Sequence, residues 1–243
     1  WFPKYGVFPA SGEWLDLYDR QRSVESINRL ARKIQDHGMY AFLYFNAVEL
    51  QKDEALKFQK QIARNKSLEY ARGYWIYNLN DEQTYLMDIR EEYKRYITDQ
   101  LSNVLKAYNV DGIFLDRNDY NVNDYTGYEY YDRLVNIPFR NLMTNYAYFL
   151  EEASNMTHAN GKMLILNLAR SQNLIYYADG VSADWADNST YATAITANKL
   201  SSFGKPVFFM PIPDVTQEDV VPYLVDDWVF MGINGGNRLY IPK

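Results

Sequence analysis

A chain of 243 residues that is 47% hydrophobic has ample material for a folded core, and this excludes a disordered protein. Its formal net charge of −6, with Lys and Arg scattered along helical stretches rather than clustered, argues against a nucleic-acid partner. The absence of cysteine excludes disulfides, thiol nucleophiles and cysteine-ligated zinc, and no apolar run approaches the ~18 residues of a membrane span.

Short apolar runs alternate along the chain with amphipathic helical stretches. The run YGVF (5–8) opens the series, and WLDLYD (14–19) is a second strand candidate. SVESINRLARKIQDHG (23–38) reads as a helix capped by Ser23, with a Glu close behind, and closed at Gly38. YAFLYFN (40–46) is the next strand. REEYKRYITDQLSNVLKAY (90–108) then places Tyr93, Tyr96, Ile97, Leu101, Val104 and Leu105 on one helical stripe. GIFLD (112–116) is a strand entered through Asp111-Gly112. FRNLMTNYAYFLEEASNMTHANG (139–161) is a third helix, stopping at Gly161. The remaining strands are KMLILN (162–167), GVSAD (180–184), PVFFM (206–210) and WVFMG (228–232).

Near-continuous apolar strands alternating with helices predict an α/β fold with a parallel sheet covered on both faces. No Gly-rich phosphate fingerprint follows the first strand, so a (β/α) TIM-type barrel in one domain, 1–243, fits better than an open nucleotide-binding sheet. Without residues 14–19 the count is seven strands where such a barrel has eight. Either that segment supplies the eighth, or the barrel is compact and lacks one strand-helix unit.

In such a barrel the reacting groups come from the carboxyl ends of several strands. Those ends carry Asn46 and Glu49, then Asp116, Arg117 and Asn118, then Asn167 and Arg170. Asp184, Trp185 and Asp187 follow, then Asp214, and last Asn234 and Asn237. Any one of them is explained by a strand surfacing into a solvated loop. Together they make a rim of carboxylates and amides suited to sugar hydroxyls, without the Lys and Arg crowd of a phosphate site. Two carboxylates on different strands are also the minimum for glycoside hydrolysis. The 23 tyrosines add sugar-stacking capacity, although core and surface packing accounts for most of them. His37 and His158 lie on helices, away from the strand ends, so no Ser-His-Asp relay, histidine-ligated metal or cofactor is expected.

The ordered stretches WFPKYG (1–6), YLMD (85–88), VDGIFLD (110–116), ADGVSADWAD (178–187) and GGNRLYI (235–241) resemble glycoside hydrolase family 66. That family holds the dextranases and cycloisomaltooligosaccharide glucanotransferases. The resemblance implies Asp116 as nucleophile and Asp184 as acid/base, with an oligo- or polysaccharide as partner. Three departures accompany it. Asp184 stands where the family has Glu, and Arg238 stands where a His is expected. Between Tyr5 and the strand at 40–46 there is room for one helix only.

The leading expectation is therefore a retaining glycosidase or transglycosylase acting on an α-glucan such as dextran. Asn46, Glu49, Arg117, Asn118, Asn167, Trp185, Asp187 and Asn237 are the expected sugar contacts. The alternatives are a non-catalytic carbohydrate-binding or structural barrel of a cell-surface protein, and a barrel hydrolase of amino-sugar polymers. Sequons at Asn65, Asn155 and Asn188, with a start consistent with a removed leader, give the expectation of a secreted or surface location.

Overall fold

The structure is a computed structural model. It describes residues 1–73, 83–118, 122–126, 130–132, 137–167, 169, 172–185, 202, 204–211 and 238–239. The chain forms two compact units: Trp1–Ile113 with Tyr120–Met163, and Phe114–Asp119 with Leu164–Lys243.

The first unit begins with a correction. YGVF (5–8) forms no strand ladder; Lys4 and Val7 make an isolated bridge around Gly6, whose φ is +74°. Side chains satisfy the backbone here instead. Gln100 accepts from the Phe8 N–H and donates to Gly6 O, and the Tyr108 hydroxyl donates to Pro9 O. The candidate at 14–19 is corrected too. Strand β1 (Glu13–Leu15) pairs antiparallel with β2 (Gln21–Ser23), so it is one arm of a hairpin. Asp16 closes that hairpin, accepting from Arg20 and Arg22.

Helix α1 (Val24–Asp36) starts where Ser23 predicts, but the reciprocal cap partner is Ser26, not a Glu. β3 (Phe42–Asn46) follows, then β4 (Glu49–Gln51), α2 (Lys52–Ala55) and β5 (Thr84–Leu86). β4 and β5 pair antiparallel after the carboxyl end of β3. Helix α3 (Glu91–Ala107) buries Tyr93, Ile97, Leu101, Val104 and Leu105, five of the six positions of its predicted stripe. Each such side chain contributes roughly 1.5–3 kcal/mol.

β6 (Gly112–Asp116) begins in this unit, beside β3. A small antiparallel sheet follows, built from β7 (Asn123–Asp124), β8 (Tyr130–Asp132) and β9 (Ile137–Asn141), with β9 in the middle. β9 therefore takes residues 139–141 from the predicted third helix. The helix itself, α4 (Leu142–Ala159), is capped by Asn141, which accepts from Met143 N–H.

In the second unit β6 ends beside β10 (Met163–Asn167). A short helix α5 (Gln172–Ile175) leads to β11 (Gly180–Trp185), β12 (Val207–Pro211) and β13 (Arg238–Leu239). These strands pair in that order and in parallel, with Asn167 level with Ser182 and Asp184 level with Met210. The architecture is thus α/β around a parallel sheet, and no ring closure is observed among the described residues. The strand expected at 228–232 lies outside them. No described helix is long and apolar enough to cross a membrane.

Candidate active site

β6 is a buried apolar strand that ends in Asp116, and the chain leaves it through a turn. Arg117 takes φ +65° with only 6% of its surface exposed. A non-glycine residue costs of order 1–2 kcal/mol in that left-handed region. The next residue, Asn118, holds the turn. Its Nδ2 donates to Leu115 O at 2.6 Å and to Asn167 O at 2.7 Å, while its N–H donates to Asn167 O at 3.2 Å.

Asn167 is the last residue of β10, and its Nδ2 donates to Asp116 Oδ1 at 2.8 Å. Asp116, Asn118 and Asn167, named separately from the sequence, therefore form one network at adjacent strand ends. Asp184 and Trp185 close β11, two and three residues beyond Ser182, the position level with Asn167. In the second unit the carboxyl ends of β6, β10 and β11 thus carry Asp116, Asn167 and Asp184. This is where a parallel sheet presents its chemistry. Arg170, Asp187, Asp214, Asn234 and Asn237 lie outside the described residues.

Asn46 and Glu49 come together within the first unit, both fully buried. Asn46 Oδ1 accepts from the Val48 and Glu49 N–H groups at 3.0 and 3.2 Å, and its Nδ2 donates to Glu49 Oε2 at 3.1 Å. The observed bonds shape the turn between β3 and β4.

Sequence reasoning assigned no role to a second buried carboxylate in this unit. Asp88 accepts from Arg90 Nε at 2.7 Å, Arg140 at 3.0 Å and Asn145 at 2.6 Å. It thereby ties the start of α3 to β9 and α4. The visible signal was an Asp ending the YLMD stretch with an Arg two residues on. Among the described residues no group of three or more His, Asp or Glu side chains could hold a metal ion.

The sequence profile of glycosyl hydrolase family 66 matches residues 7–197, well over half of the chain. The chain belongs to glycosyl hydrolase family 66. The family 66 match contains β6, β10 and β11, and so the Asp116–Asn167 pair and Asp184.

Three solved structures share the fold at low identity. A cycloisomaltooligosaccharide glucanotransferase from Paenibacillus sp., complexed with cycloisomaltoheptaose, has a TM-score of 0.63 at 17% identity, covering 87% of this chain and 33% of its own. Isoenzyme 2 of alpha-L-fucosidase from Paenibacillus thiaminolyticus scores 0.69 at 12% identity, covering 98% and 38%. The PgaB (BpsB) glycoside hydrolase domain from Bordetella bronchiseptica scores 0.58 at 12% identity, covering 97% and 78%. This chain therefore spans about a third of the glucanotransferase it matches. No curated protein sequence matches it.

Proposed function

We propose that this chain is the catalytic (β/α) barrel, folded as one domain, of a retaining glycosidase or transglycosylase acting on an α-linked glucan. The observation that carries the reading is Asp116. It ends a parallel strand inside the family 66 segment, and a buried amide bonds its carboxylate.

In the proposed reaction the Asp116 carboxylate attacks the anomeric carbon while Asp184 gives its proton to the departing glycosidic oxygen. The glycosyl ester is then opened by water or by a sugar hydroxyl, and Asp184 takes back the proton. The paired-carboxylate route needs the two groups about 5–5.5 Å apart. An α-1,6-glucan is the favoured substrate because a structure of the same fold is a glucanotransferase holding cycloisomaltoheptaose. Trp185, Asp187 and Asn237 are proposed as sugar contacts, and a secreted or surface location as the setting in which such a polymer is met.

The test is turnover. Incubation with dextran and isomaltooligosaccharides is expected to yield new reducing ends or altered chain lengths. Asp116→Asn, which keeps size and hydrogen bonding, is expected to lose nearly all of that activity with little change in melting temperature. Residual activity above about a tenth of wild type would remove Asp116 from the role, since a nucleophile's loss costs far more than tenfold. A folded protein with no product from any α-glucan would point to a binding module instead.

A further inference from the structure

We infer that Asn167 is a positioning residue for Asp116, so that strand β10 sets the place of the nucleophile through one amide. This deepens the glycosidase reading and rests on Asp116 being its nucleophile. A sequence-based view takes Asn167 for a sugar contact, but three observations point elsewhere.

Asn167 is only 2% exposed, so its side chain lies within the protein. Its amide orientation is also informative. A carboxylate oxygen accepts and does not donate, so Nδ2 must face Asp116 Oδ1, as it does at 2.8 Å. In that orientation the Asn167 Oδ1 atom is buried with no hydrogen-bond partner among the described residues. A buried carbonyl oxygen in that state is unfavourable, and flipping the amide would set oxygen against oxygen. The bond to Asp116 is therefore what holds the side chain as it is.

The third observation is the anchoring of Asn167 itself. Asn118 donates twice to its backbone oxygen and once to Leu115 O, clamping the end of β6 to the end of β10. A carboxylate just before a left-handed turn thus gains a fixed partner on the neighbouring strand. In the reaction Asn167 neither gives nor takes a proton. Its N–H faces the same oxygen while Asp116 passes from carboxylate to glycosyl ester and back.

The experiment combines kinetics and crystallography on wild type, Asn167→Ala, Asn167→Asp and Asn167→Gln. Asn167→Asp keeps the shape and the main-chain bonds to Asn118 but replaces the donor with an acceptor. If Asn167 positions Asp116, kcat on isomaltooligosaccharides should fall about a hundredfold in Asn167→Ala, as misplacement of a reacting group predicts. KM should stay within about twofold, because no uniform binding contact has been removed. Asn167→Asp should do at least as badly as Asn167→Ala, and Asn167→Gln should recover part of the loss. Crystals of Asn167→Ala should show the Asp116 carboxylate in a new rotamer. Wild-type kcat in Asn167→Asp, or an unmoved Asp116 in Asn167→Ala, would overturn the inference. Should wild type turn over no glucan, the glycosidase reading fails, and the Asp116 rotamer alone then decides for or against the clamp.

Discussion

The resemblance to family 66 places a glutamate where this chain has Asp184, one methylene shorter. It lies in β11, level with Met210. If Asp184 is the acid, Asp184→Asn should slow substrates with poor leaving groups far more than activated aryl glycosides, which depart without a proton. Asp184→Glu adds ~1.5 Å of reach, one C–C bond, and should raise activity if the short side chain is limiting. Equal losses on both substrate types in Asp184→Asn, with the selective loss in Asp187→Asn, would move the role to Asp187. Thr157, the third residue of the Asn155 sequon, is buried on α4 and donates to Ala153 O, so helix packing accounts for it.

At the scale of elements, the two Asp-Gly pairs at the starts of β6 and β11 turn out to be the same device. Asp111 accepts from the Ala41 N–H at 2.7 Å and donates its own N–H to Ala41 O at 2.8 Å. Asp179 does the same with Leu164, at 2.8 Å in both directions. Each Asp thus pins the start of its strand to the neighbouring strand. The glycines serve packing: a Cβ on Gly112 would come 2.3 Å from Met163 O, and one on Gly180 3.0 Å from Ile165 Cδ1. A lysine completes each arrangement. Lys162 donates to Tyr108 O and Val110 O, and Lys205 to the carbonyls of Ile175, Tyr176 and Ala178. Asp111→Ala and Asp179→Ala should each cost ~1–3 kcal/mol in denaturant titration, by leaving the N–H of Ala41 or Leu164 without its acceptor. Wild-type stability in either variant would show that water replaces the carboxylate there.

For the molecule as a whole, the abundance of tyrosine bears on stability as well as on sugar. Tyr93 and Tyr108 donate their hydroxyls to Ala47 O and Pro9 O, and both are buried. Burial, with Tyr96 and Glu49 nearby, holds Tyr93 well above the ordinary phenol range. Burial likewise raises Tyr108, with Glu25 adding to it, and pushes Tyr96 up to about 12 with Glu54 as the next contributor. A group raised in the folded state stabilises it fully below its unfolded pKa, and that contribution is lost as pH rises further. The melting temperature should therefore hold to about pH 10, the ordinary tyrosine value, and fall above it. Tyrosinate absorbance should show a late fraction appearing only as the fold is lost. A single titration near pH 10 with the fold intact would contradict this.

What the sequence determined by itself was whatever periodicity and local chemistry encode. The runs 112–116, 162–167, 180–184 and 206–210 became β6, β10, β11 and β12, because buried parallel strands leave continuous apolar runs bounded by polar ends. The stripe of α3 and the Ser23 cap were legible for the same reason. Only the tertiary structure decided matters of partnership. YGVF has the composition of a strand but finds Gln100 for its backbone, and residues 13–15 pair within a hairpin. The strands β4, β5, β7 and β8, two or three residues each, carry too short a pattern to be read. The bond from Asn167 to Asp116 joins residues 51 apart in the chain, a pairing that no local signal specifies and that strand adjacency creates.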